Sequence, residues 1–368
     1  MKKSLIALAC LGCTSVFAQT APLVTVYGIA DMAINKDSKT SSANVKTDTT
    51  NVITNGLSTS RLGFKGDREI STGLTANYTF EFEIDQSSDS GIVKTRVGTV
   101  GLAGAFGALS VGRRTTLVRD LENSLDPHDS PTAAGTLSTK SRETRRDDTI
   151  TWTSPVFSGF SVDAQIGLGS LQKSTPATGV IAYDATGVKA DGNSGDSTSL
   201  RLNYANGPLT VKVGTETVKN FYKAIKVGDN NLTAPSGTAA DPARDRKHTM
   251  YGASYDLGMM TLYYVGTRAE QGTVALKSTF DTNTFALRVP VGALSLNLGM
   301  GTGKASVGTA TTLQAAKADL KSTQASVWYA LNKDTTLYAV YGNEKASHAS
   351  FTTAQKESTF LLGLRYRF

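Results

Sequence analysis

The chain has 368 residues and a formal net charge of +7, with 35 glycines, 9 prolines, 19% charged residues and 39% apolar ones. A mean hydropathy of −0.17 excludes a bundle of membrane-spanning helices, each of which needs about 20 consecutive apolar residues. The 13 Tyr, 13 Phe and 2 Trp spread along the chain exclude disorder, and 3 His with 2 Cys leave little material for metal or thiol chemistry.

In chain order, the first residues read as an export signal rather than as part of the fold. Lys2 and Lys3 precede an apolar stretch from Leu5, and Val16-Phe17-Ala18 puts small residues where a signal peptidase reads. Cleavage is therefore expected after Ala18, leaving one domain over 19–368. Both cysteines, Cys10 and Cys13, would leave with the signal, and the remaining balance stays basic. A basic exported chain without a dense Lys/Arg block points to anionic solutes or lipids and not to nucleic acid.

From Leu23 onward the dominant period is two. Val24, Val26, Ala30, Met32 and Ile34 share one face, while Thr25, Tyr27 and Asp31 share the other. Leu62 and Phe64 alternate with Arg61 and Lys65. Ala76, Tyr78, Phe80, Phe82 and Ile84 alternate with Thr75, Asn77, Thr79, Glu81 and Glu83. Ile150 and Trp152 alternate with Thr149, Thr151 and Thr153. In the last segment Phe360, Leu362, Leu364, Tyr366 and Phe368 face one way, and Thr359, Arg365 and Arg367 the other.

The connections have a rhythm of their own. Seven short turn signals, such as Ser71-Thr72-Gly73-Leu74 and Asn206-Gly207-Pro208-Leu209, interleave with eight longer polar stretches near 36–56, 87–92, 117–144, 170–195, 224–244, 271–277, 304–319 and 345–356. Seven short and eight long connections join sixteen strands. The predicted fold is an all-β, up-and-down antiparallel transmembrane barrel of sixteen strands. Its physical cause is backbone hydrogen bonding: in hydrocarbon every N–H and C=O needs a partner within the protein, and a closed sheet supplies one without an edge.

These segments resemble the general porins of Gram-negative outer membranes, in particular the trimeric beta-proteobacterial branch. The likeness rests on Val24-Thr25-Val26-Tyr27-Gly28, Ser60-Arg61-Leu62-Gly63-Phe64-Lys65-Gly66, Gly73-Leu74-Thr75-Ala76, Phe106-Gly107, Gly112-Arg113, Phe157-Ser158-Gly159-Phe160 and the terminal Tyr366-Arg367-Phe368. It implies a homotrimer in the outer membrane, reached by Sec export, in contact with outer-membrane lipid and passing small hydrophilic solutes and ions. It also implies that the last strand, with Phe360, Leu362, Leu364, Tyr366 and Phe368, carries the signal read by the barrel assembly machinery.

The resemblance further implies that the third long connection, 117–144, folds inward to narrow the pore. That stretch carries Asp120, Glu122, Asp126 and Asp129. Opposite it the family places a ladder of arginines, which match here Arg61, Arg96 and Arg145. Alternation puts Arg61, Lys65 and Arg145 on the polar face. Arg114 has the register of Ser110 and Gly112, whereas Arg96 shares its parity with Gly98 and Val100. Inward placement is the low-energy choice, since a lipid-facing arginine near the midplane costs about 2–4 kcal/mol. The chain departs from the family pattern at Ile29, where some relatives have a basic residue, and lacks the usual Pro-Glu-Phe stretch in the third loop.

The expected activity is passive diffusion with weak to moderate anion preference, the alternative being a channel with a saturable site for an anionic metabolite. No cofactor, metal or catalytic residue is expected. His128, His248 and His348 stand apart from one another, and there is no G-x-S-x-G elbow.

Overall fold

The computed structural model describes residues 24–88, 91–128, 144–168, 196–219, 226–227, 230–231, 245–272, 277–307, 316–348 and 353–368. The expected signal segment, 1–18, lies outside them. The barrel strands are β1 Thr25–Thr40, β2 in two pieces (Lys46–Thr54 and Arg61–Ser71), β3 Leu74–Asp85, β4 Gly91–Gly104, β5 Gly107–Thr115, β6 Arg145–Thr153, β7 Phe160–Gly167 and β8 Ser197–Asn206. The second half comprises β9 Leu209–Val218, β10 Arg246–Asp256, β11 Thr261–Gly272, β12 Lys277–Val291, β13 Leu294–Val307, β14 Ala316–Ala330, β15 Thr335–His348 and β16 Gln355–Arg367. Among the described residues one helix, α1 Leu117–Leu125, follows β5.

Each strand pairs antiparallel with its sequence neighbours, and β1 closes the sheet against β16, from Ile29 opposite Arg367 to Thr40 opposite Lys356. The sixteen-stranded closed barrel is the expected one. Short turns and the C-terminus share one end, where Phe368 exchanges backbone hydrogen bonds with Gly28 at 2.9 and 3.2 Å. Gly107 shows why one such turn needs glycine: its φ is +97°, and a Cβ there would stand 2.1 Å from the Thr153 carbonyl oxygen.

The interior is inverted relative to a soluble protein. Among the described residues, buried polar and charged side chains outnumber buried apolar ones, while Val26, Phe80, Leu202, Leu298 and Leu362 are exposed on the outside. An exposed apolar side chain costs nothing where lipid is the solvent, and the buried polar set lines the lumen. Tyr251, Tyr264 and Phe285 form an outward aromatic group with ring centroids 6.1 and 4.8 Å apart.

The strands run further than the sequence pattern indicates. The stretch 36–56, expected to be a long connection, is mostly strand: β1 reaches Thr40 and β2 begins at Lys46, leaving a turn at 41–45. Likewise β13 runs to Val307 and β14 starts at Ala316, inside the expected connection 304–319. The stretch 345–356 is shortened in the same way by β15 and β16. These ends project beyond the hydrocarbon, where both faces of the sheet are wet. The apolar half of the alternation therefore disappears from the sequence although the hydrogen-bond ladder continues.

Candidate pore constriction

The basic side chains on β2, β4, β5 and β6 converge on the inner wall because the sheet is irregular there. β2 stops at Thr54 and resumes at Arg61, and the intervening residues bend into the lumen. The Asp31 carboxylate on β1 holds them, accepting hydrogen bonds from the backbone N–H groups of Gly56 (3.1 Å), Leu57 (3.1 Å) and Ser58 (2.8 Å) and from the Tyr338 hydroxyl. Leu57 then seats in an apolar pocket of Ala33, Tyr338, Val340 and Leu361. Arg365 donates to the Ser58 hydroxyl at 3.0 Å. Arg61 leaves this anchored segment with its Nε bonded to the Thr59 carbonyl at 2.8 Å.

Two glutamates of β3 meet the arginines. Arg96 Nε lies 2.6 Å from Glu81 Oε1, its Nη1 lies 3.4 Å from Glu83 Oε2, and Arg61 Nη1 lies 3.8 Å from Glu81 Oε1. The Tyr27 hydroxyl donates to Glu81 Oε2 at 3.2 Å, and Lys65 stands 5.4 Å over the Tyr27 ring toward the short-turn end. Arg96 faces inward despite its parity because the β3–β4 register shifts between Glu81 and Phe82, so one extra residue of β4 turns the alternation over. Glu81 and Glu83 are site residues that the arginine ladder alone does not reveal, although their alternation with Thr79 placed them on the polar face.

A further shift, between Gly112 and Arg114, and a positive φ of 52° at Asp148 re-aim β5 and β6. Arg114 bonds Ser110 Oγ at 3.1 Å and reaches Asp120 of α1 at 3.5 Å. Arg113 pairs with Asp147. Arg145 lies within electrostatic reach of Arg96, Glu81, Arg61 and Arg113. Its neighbour Arg146 is also buried and pairs with Glu216 of β9 at 2.8 Å, a lumen pair not expected from the sequence.

The acids of the third connection are distributed differently from one another. Thr116 caps α1 by accepting the Arg119 N–H at 3.2 Å, and Leu117, Val118, Leu121 and Leu125 form its apolar face. That face packs on the lumen side of β10 and β11, against Met250 and Val265. Gly252 admits it: a Cβ there would stand 2.7 Å from Leu125 Cδ1 and 2.4 Å from the Tyr264 carbonyl oxygen. Wall cations hold the outer side of the turn. Arg201 donates to the Leu117 carbonyl at 3.2 Å, Lys212 to Ser124 Oγ at 2.9 Å and Arg288 to the Pro127 carbonyl at 2.6 Å.

Asp120 therefore meets the wall ladder, Glu122 is buried beside Arg119 at 2.9 Å, and Asp126 accepts the His128 N–H at 2.9 Å. Asp129 lies outside the described residues. Burial and the nearby Arg288 charge hold the His128 imidazole down at about 4.

Further round the wall, Arg288 of β12 and Arg365 of β16 lie 4.8 and 5.4 Å from the Trp328 ring of β14. Arg201 pairs with Asp163 at 2.9 Å. The terminal strand presents Phe360, Leu362, Leu364, Tyr366 and Phe368 outward, all exposed. Among the described residues no cluster of His, Cys, Asp and Glu could hold a metal ion. The inner wall thus carries guanidiniums on β2–β6, and α1 packs against β10 and β11 with its Asp120 reaching Arg114.

Comparison with known proteins bears on this geometry. A family model described as Gram-negative porin matches residues 4–349. Outer membrane porin protein 32 of Delftia acidovorans is 31% identical over 277 residues, covering 71% of this chain and 68% of that protein. An outer membrane porin protein of Bordetella pertussis is 27% identical over the full length of both chains. Among solved structures, an anion-selective porin from Comamonas acidovorans superposes with a TM-score of 0.72 at 21% identity, covering 94% of this chain and 99% of that one.

Proposed function

This chain belongs to the Gram-negative porin family of outer-membrane channels, and on that premise we propose that it is a general diffusion porin with weak to moderate anion preference. Small hydrophilic solutes and ions pass the lumen passively, sorted by a transverse field between the guanidinium wall and the acidic side of the third connection. The observation that carries this reading is the convergence of Arg61, Arg96, Arg114 and Arg145 on one wall. Arginine stays charged at any relevant pH, and Glu81 and Glu83 neutralise part of the charge, which keeps the preference moderate. The solved anion-selective neighbour agrees in kind.

The test is the reversal potential of the purified channel across a planar bilayer in a KCl gradient. Its sign should be anionic and its size should shrink at high salt, since the Debye length falls to about 3 Å at 1 M. Arg61→Ser with Arg96→Ser should move it toward cations; an unmoved potential removes both from the constriction. A second reading, a saturable site for an anionic metabolite, is favoured by the two guanidiniums beside Trp328. It requires conductance that saturates with that solute but not with chloride.

The family premise also supports a homotrimer, removal of residues 1–18 on export, inward folding of the whole third connection, and recognition of the β16 outward row ending at Phe368 by the assembly machinery.

A further inference from the structure

The outer face of the barrel carries a charge pattern that pore function does not use. Lys321 on β14, Lys345 on β15 and Lys356 on β16 are direct cross-strand partners, Lys321 opposite Lys345 and Lys345 opposite Lys356. All three are exposed and share parity with the outward Val327, Tyr341 and Phe360. Like charges directly opposite in a sheet destabilise it. Among the described residues no carboxylate pairs with any of the three, and the neighbouring connections, 308–315 and 349–352, contain no Asp or Glu. The outward Asp319 stands one rung further out, across from Lys304, a fourth exposed lysine.

The height of the row is informative. Tyr341 and Phe360 face each other on the outer surface, an aromatic pair of the kind that marks the edge of the hydrocarbon. The lysines stand four residues further toward the long-connection end, which in barrels of this kind is extracellular. Four residues are about 13 Å along a strand, or about 10 Å along the membrane normal at a tilt near 40°. Ammonium groups on flexible stems at that level reach the headgroups of the outer leaflet. Below them, on β15, β16, β1 and β2, an open apolar groove of about 370 Å³ runs over Met32, Ile34, Val52, Leu337, Leu362 and Leu364.

We propose that this face binds a phosphate-bearing glycolipid of the outer leaflet, with its phosphates on the lysine row and an acyl chain in the groove. Charge complementarity selects this occupant. Three ammonium groups that repel one another are relieved by phosphate, whereas apolar cover by a second copy of the chain would desolvate them unpaired. The site is separate from the lumen, because every residue in it points outward, except for Ala33 and Gly363 at the groove floor.

The experiment reconstitutes the purified full-length barrel in phosphatidylcholine nanodiscs doped with bisphosphorylated lipid A or with the same lipid after dephosphorylation. Bound glycolipid is read by native mass spectrometry. The phosphorylated form should be retained and the dephosphorylated form released. The triple variant Lys321→Gln, Lys345→Gln, Lys356→Gln should bind the phosphorylated lipid roughly 100-fold more weakly, with unchanged single-channel conductance as proof of folding. Equal retention of both lipids, or undiminished retention by the variant, overturns the proposal. So does a lipid-free oligomer that dissociates only in the variant, which would make the face a contact between copies. Should the variant fail to fold, the parent protein decides: retention must fall steeply between 50 and 500 mM salt, and retention indifferent to salt overturns the proposal.

Discussion

Removing the Asp31 carboxylate should release the segment that leads into Arg61. In the intact protein this group is fully buried and accepts three backbone N–H groups, at 3.1, 3.1 and 2.8 Å, together with the Tyr338 hydroxyl. Asp31→Ala leaves those donors without an acceptor and removes the carboxylate that faces Arg365. Breaking a buried charged network from one side costs about 3–5 kcal/mol. The barrel need not unfold to avoid that cost, because residues 55–60 can swing free and recover about 1 kcal/mol or more of chain entropy per residue. The detached population should therefore rise by roughly two to three orders of magnitude. Leu57→Cys, in a background with Cys10 and Cys13 changed to Ser, reports on this directly, since Leu57 is 0% exposed when seated. A water-soluble thiol reagent should label it at least 100-fold faster with Asp31→Ala than without it. Equal labelling rates would refute the idea that this carboxylate holds the segment.

Three other expectations follow from the same geometry. Glu81→Gln removes the counter-charge shared by Arg61 and Arg96, so the reversal potential in a KCl gradient should move toward anions; movement toward cations would mean that the field is set elsewhere. Gly252→Val should unseat α1, because the new side chain meets the Tyr264 carbonyl, which is backbone and cannot yield, as well as Leu125. A cost of about 1–3 kcal/mol should appear as added current noise, and a quiet channel of parental conductance would contradict the seating. His128, held at about 4 against an ordinary 6.5, takes up its proton more readily when the loop is displaced. The seated loop should thus lose on the order of 3 kcal/mol as pH falls from about 6.5 to 4, so channel current should become noisier on acidification and His128→Asn should blunt that change; an identical acid response in the variant would exclude this imidazole.

Much of the fold is legible because a barrel in lipid writes its topology into the sequence. The outward row Phe360, Leu362, Leu364, Tyr366 and Phe368 can alternate as it does only if one face meets hydrocarbon, and glycine-centred turns such as that at Gly107 punctuate the other end. Legibility fails where the solvent stops being different on the two faces, as at Lys36–Thr40 and Lys46–Asp48, which are strand without an apolar side. The helix at 117–125 was hidden for another reason. Its apolar residues pack on a wall assembled from β10 and β11, which lie more than a hundred residues away along the chain. Arg201 and Arg288 are each the single arginine of their strand, Arg146 has the opposite parity to its neighbour Arg145, and Arg365 lies at the far end of the chain, so only closure of the barrel turns these scattered cations into a lining.

The constriction is built where the sheet departs from regularity, and this is a requirement rather than an accident. A strand of strict period two can offer the lumen one residue in every two, at heights fixed by its neighbours. Arg96 on such a strand would join Gly98 and Val100 on the lipid side, at about 2–4 kcal/mol; the shift beside Glu81 turns it inward to meet that glutamate. The shift at Gly112 and the positive φ at Asp148 let two consecutive arginines, Arg145 and Arg146, both serve the inner wall. The break in β2 places Arg61 at the start of its second piece, just after a bent segment that no ladder holds and that Asp31 holds instead. These irregularities, and further shifts at Glu69/Ser71 and Glu83/Ile84, fall on β2–β6, the wall that carries the guanidiniums, whereas among the described residues β7–β16 pair without a shift. Crowding like charges needs geometry that regular strands cannot supply, and the added bends are stabilised by the acids that the crowding makes favourable: Glu81 and Glu83 for Arg96, Asp147 for Arg113, Asp120 for Arg114. Straightening any one of these bends should therefore lower selectivity and stability together.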